Sequence, residues 1–140
     1  MKFRMMLSAL LLAVGLVFVT GCKKSPTEVA KKSLEAMKKQ DFDTIIALSD
    51  GKQQEEAKKF AEEFKQMKEE ADKGDANAKQ ALELYQKMTY EIKGEKIEGD
   101  FAEVEVAMTM GGMTQTEKMH FKKVNGEWKV IADKDYKPAK

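Results

Sequence analysis

Three groups of residues in this chain could carry chemistry: the single cysteine, Cys22, the single histidine, His120, with the carboxylates a strand would set near it, and the methionines Met108, Met110, Met113 and Met119. A thiol is a nucleophile, an imidazole beside a carboxylate is an acid–base pair, and thioethers are soft ligands that suit Cu(I). What each can do depends on the elements that position it. No nucleotide-binding glycine motif, Cys-rich zinc spacing or Ser/His/Asp nucleophile set is visible, so no resident metal or cofactor is expected.

Cys22 ends a segment in which Lys2 and Arg4 precede an apolar run from Met5 to Val19. A cationic start, a short apolar stretch and small residues before a cut site make an export signal. The run is about 15 residues, short of the about 20 needed to cross a bilayer. Its close, Val19-Thr20-Gly21-Cys22, resembles the bacterial lipobox. That resemblance implies a diacylglyceryl group on the Cys22 thiol, cleavage before it, and a mature protein held to the membrane by lipid, palmitate among its acyl chains. Two or more chains anchor stably where one is marginal. The Asp that retains lipoproteins at the inner membrane is replaced here by Lys23, so the outer membrane facing the periplasm is expected if the cell has two membranes.

Loss of Lys2 and Arg4 with the signal leaves 23 basic against 24 acidic residues. There is no basic field for nucleic acid. Arg4 is the only arginine, so the mature domain lacks the planar fork that grips phosphate or carboxylate through two bonds. The expected division is signal 1–21, lipidated Cys and short tether 22–25, one folded domain 26–133 and a polar C-terminal tail 134–140.

Ser25-Pro26-Thr27-Glu28 is a helix start with a capping box, and Val29, Ala30, Ser33, Leu34 and Met37 follow at helical spacing. Asp41 caps a short second helix through Leu48, which Gly51 should end. Ala57, Phe60, Ala61, Phe64, Met67 and Ala71 mark the buried stripe of a third helix over about 53–73, and Asp75 caps a fourth with Ala78, Ala81, Leu82 and Tyr85 on one face. From Thr89 the period becomes two, the signal of strands. A parity change around Gly94 predicts a β-bulge in the first strand; strands 101–110, 113–124 and 127–132 follow, joined by Gly111-Gly112 and Asn125-Gly126.

Two-residue turns fix register. Val106 should face Glu117, Val104 Met119, Ala102 Phe121 and Glu103 His120; across the second turn Phe121 should face Val130, Met119 Ala132 and Lys123 Trp128. One face is then apolar and the other charged, and the helices must cover the apolar one. The expected fold is α+β: N-terminal helices packed on a four-stranded antiparallel meander.

Helices then a meander, with Ser-Pro-Thr-Glu-Val-Ala at the start, Lys-Gln-Asp-Phe-Asp after the first helix and Val124-Asn125-Gly126-Glu127-Trp128-Lys129-Val130-Ile131 at the close, resemble the nuclear transport factor 2-like superfamily, and within it small bacterial lipoproteins whose domain has no assigned function. The resemblance implies a curved sheet wrapped around helices as a cone with a pocket, acid and base groups inside it in the enzymes, and sheet-to-sheet homodimers. Lys118, His120 and Lys122 on the outer face argue against a dry interface of that kind.

On the residues themselves, parity puts His120 on the charged face, where a solvated pair with Glu103 is the plainer reading. Glu117 falls on the apolar face and is the candidate general acid or base; the plainer reading has it reaching out of the sheet end near the Gly-Gly turn. The methionines are ligand or partner contacts, or filler for an irregular core, with Met110 and Met113 at a hairpin tip. The expected function is a lipid-anchored, non-enzymatic binding module for an envelope protein or a small apolar ligand. An enzyme using Glu117 ranks second and a Cu(I) carrier third.

Overall fold

The computed structural model describes residues 24–140. Cys22, Lys23 and the apolar run before them lie outside the described residues, so the signal, the cleavage point and the lipid site are not placed by it. Helix α1 (Pro26–Lys38) begins as its sequence dictates: Ser25 accepts from the Glu28 amide, and Glu28 returns to the Ser25 amide. Thr27 ties this first turn to the sheet through its amide and hydroxyl, both donating to Glu95. Asp41 caps α2 (Phe42–Leu48) by accepting from the Thr44 amide.

Gly51 does not end α2. It is the first residue of α3 (Gly51–Asp72), while α2 closes at Ser49 in extended conformation. The reason is a tertiary contact: Ser49 bridges to Val130 in the sheet, and the Asp50 amide donates to the Val130 carbonyl at 2.9 Å. Gly51 at φ +56° then turns the chain into the long helix, a conformation that favours glycine. Asp75 caps α4 (Ala76–Gln86) through the Ala78 amide.

Strands β1 (Thr89–Glu98), β2 (Phe101–Met110), β3 (Met113–Val124) and β4 (Glu127–Ile131) form an antiparallel meander in chain order. The bulge lies between Ile92 and Gly94. The register across Gly111-Gly112 is the one the turn requires, with Ala102 opposite Phe121, Glu103 opposite His120 and Val106 opposite Glu117. Phe121 faces Val130 and Lys123 faces Trp128 across the second turn. The expected partnership of Met119 with Ala132 is not formed: β4 stops at Ile131, opposite His120, because residues 133–135 coil into a 3₁₀ turn.

Helix α1 lies over the sheet, and Val29, Ala30 and Leu34 meet Met88, Ala102, Val104, Val106, Phe121, Trp128 and Val130 in the main core. The space expected for a cone pocket is therefore filled here. Phe60, Phe64 and Tyr85 join Phe42 in an aromatic cluster between α2, α3 and α4, with ring centroids 5.0–6.0 Å apart. Residues 111–118, the turn and the first half of β3, are exposed, while the β2 residues they pair with stay at the core: Val106 is buried, and Met108 and Met110 pack against the main core. Leu84 of α4 meets the hairpin tip, where a Cβ on Gly111 would lie 3.3 Å from Leu84 Cδ2.

Candidate functional site

Two constellations stand out among the described residues. The first is a cleft of about 470 Å³ where four segments meet: Lys24 ahead of α1, Val29 and Lys32 on α1, Ala47 and Leu48 at the end of α2, and the β3–β4 turn with Trp128 and Lys129. Its size falls within the about 300–1,000 Å³ usual for small-molecule sites. Val29, Leu48 and Trp128 give it an apolar floor. Trp128 is held there by strand parity and by the Lys123 ammonium 5.0 Å from its ring centre. Lys129 spans the base, donating to the Ala47 carbonyl at 2.7 Å. Asn125 and Gly126 shape the rim with positive φ at both positions, as a tight hairpin turn requires.

The second lies on the outer face of the sheet. His120 Nε2 is 3.3 Å from a Glu103 carboxylate oxygen, and Nδ1 is 2.9 Å from Asp133. Tyr136 stacks on the imidazole at a centroid separation of 4.2 Å and meets Phe101 edge-on. The expected pair with Glu103 forms, but it is not solvated: only 13% of the His120 side chain is exposed, because the chain after β4 folds back and lays Tyr136 over it. With both ring nitrogens engaged by carboxylates, neither faces a space where a substrate could sit. The arrangement clasps the C-terminal residues to the sheet.

Glu103 also receives the Lys118 ammonium at 2.9 Å. That bond is the main reason its carboxyl titrates below the usual glutamate range; burial opposes the shift and His120 adds to it. A carboxylate with a depressed folded value contributes stability above its unfolded value, lost as pH falls through the folded one. Glu103→Gln should therefore cost stability near neutrality and progressively less below about pH 4.3, the ordinary glutamate value. Urea denaturation of both proteins from pH 7 to pH 3 checks this, and a gap that widens toward acid would contradict it.

The residues singled out in the sequence fare differently. Glu117 is exposed on the first half of β3, so it is not the enclosed acid or base; the cover that buries Val106 opposite it on β2 does not extend across to β3 there. Met108, Met110 and Met119 are half-buried and pack against the main core, while Met113 is 71% exposed. Met110 faces Met113 across the turn, but Met119 lies six residues further along β3, about 20 Å at strand rise, so the four thioethers do not share one site. No group of three His, Cys, Asp or Glu converges at metal distance among the described residues. Lys32, Lys129, Asp133 and Tyr136 carried no signal of periodicity. The one available hint was register, since Ile131 opposite His120 brings residue 133 beside it.

A family model described as a domain of unknown function, DUF4878, matches residues 19–131. The chain belongs to this family. The DUF4878 match takes in Cys22 and, among the described residues, the four α-helices and four strands. No curated protein matches the chain. Among solved structures, the DUF4878 chain is similar to a protein described as a nuclear transport factor 2-like transpeptidase from Campylobacter jejuni, at 15% identity and a TM-score of 0.48, covering 79% of this chain and 100% of that one. It is also similar to a SEC-C motif-containing protein from Rhodopseudomonas palustris, at 18% identity and a TM-score of 0.49 over 77% of this chain and 76% of that one. A de novo designed protein with a curved β-sheet is similar at 22% identity and a TM-score of 0.47, over 76% and 93%.

Proposed function

We propose that this DUF4878 protein is a lipid-anchored, non-enzymatic binding module of the bacterial envelope that takes a small apolar ligand in the cleft beside Trp128. The observation that carries the reading is the place of that cleft. Val29, Leu48 and Trp128 line it at the pole where the chain leads back toward Cys22. Pro26 lies four positions after Cys22, a reach of at most about 14 Å when extended, so an acylated Cys22 holds the cleft close to the membrane surface. Against catalysis stand the exposure of Glu117 and the engagement of both His120 nitrogens. A partner protein is the second reading, favoured by the exposure of Met113 at the hairpin tip.

Two measurements test this. The mass of the membrane-extracted mature protein should show Cys22 as its first residue with acyl groups attached, and an unmodified Cys22 would remove the anchor. A neutral apolar probe such as N-phenyl-1-naphthylamine should bind and quench Trp128, the only tryptophan. Binding that survives Leu48→Asp unchanged would move the ligand elsewhere.

A further inference from the structure

The apolar floor of the cleft does not account for its rim. Lys24, Lys32 and Lys129 line it against one carboxylate, Glu127, which lies 3.7 Å from Lys129. Lys24 and Lys32 make no ion pair within 4 Å among the described residues. Both line the mouth of the cleft, and the neighbouring Lys24 is the main cause of a Lys32 value below the ordinary lysine one, with Asp41 opposing it. Ammonium groups gathered at the mouth of an apolar cavity repel one another and favour an anion among them. The first turn of α1 is already closed by Ser25 and Glu28, so the positive character here belongs to the lysine side chains.

We propose that the cleft binds an anionic amphiphile, an alkyl or acyl chain against Val29, Leu48 and Trp128 with a phosphate or carboxylate head between Lys24 and Lys32. This rests on the reading of the cleft as an apolar ligand site and adds the charge that the ligand must carry. Compact ammonium groups on flexible stems suit a head of variable shape, where an arginine fork would demand a planar one. The same chemistry has two sources, a lipid of the adjoining membrane and a monomeric acyl anion, and the rim lysines would serve either.

The test uses residues 22–140 carrying Cys22→Ser, which retain every described element, and follows Trp128 emission. Dodecyl phosphate, kept below micelle formation, should bind at least tenfold more tightly than dodecanol. The double variant Lys24→Gln, Lys32→Gln should lose that factor and bind dodecanol as before, since both residues are exposed and their loss leaves the core intact. Equal binding of the two ligands by the unsubstituted protein overturns the proposal and leaves an apolar site. Inorganic phosphate competing as well as dodecyl phosphate overturns it in favour of an ion site. Failure of both alkyl ligands to bind overturns the apolar-ligand reading as well. Flotation with phosphatidylglycerol but not phosphatidylcholine vesicles, lost in the double variant, assigns the amphiphile to the membrane; dodecyl phosphate binding without that preference assigns it to the monomer.

Discussion

Phe121→Ala should lower the unfolding free energy by about 3–5 kcal/mol, the usual cost of truncating a buried aromatic. Phe121 has no exposed surface and is the largest of the fully buried side chains among the described residues. Its neighbours across the ladder are Ala102 on β2 and Val130 on β4, both buried and fixed by backbone pairing, so the sheet cannot close over the space its ring leaves. Ala102 offers no longer side chain to swing inward. Chemical denaturation at pH 7 gives the number directly, with an unchanged slope against denaturant showing that only stability has moved. A loss under about 1 kcal/mol would mean that the cavity collapses and that the core is looser than its register implies.

Trp128→Ala should cost about 3 kcal/mol, at the low end of the same range, because its ring borders the cleft and water can enter where it stood. Trp128 is nonetheless only 8% exposed and belongs to the main core. Trp128→Phe, which keeps most of the apolar volume, should recover the larger part of the loss. An unchanged midpoint in the alanine variant would place the indole outside the core, against the pairing of Lys123 with Trp128.

The sheet was legible because two-residue turns leave no freedom: Gly111-Gly112 and Asn125-Gly126 set the bounds of β2 and β3 and every pairing between them. The bulge was legible for the same reason, as a parity change that a regular strand cannot make. What escaped depends on contacts between distant segments. Gly51 after a short helix reads as a stop, and only the pull of Val130 on Ser49 and Asp50 makes it a start. Glu117 has the parity of a core residue, but parity says nothing of how far the cover extends across the sheet: Val106 opposite it is buried and Glu117 is not. His120 is closed in by Tyr136, 16 positions later and beyond the last strand, where no repeat points inward. The cleft draws on four segments, and none carries a ligand-binding motif.

The bulge at Gly94 and the bridge at Val130 together decide how this molecule can meet others. An open strand edge is a template for further strands, and proteins blunt it with kinks, charge or cover. On β1 the bulge breaks the ladder's spacing, and Lys93 and Lys96 stand beside it, paired to Glu91 and Glu98. On β4 the Val130 carbonyl is already taken by the Asp50 amide. Both edges are thus blunted against the addition of a further strand, one by a kink and charge, the other by cover from its own chain.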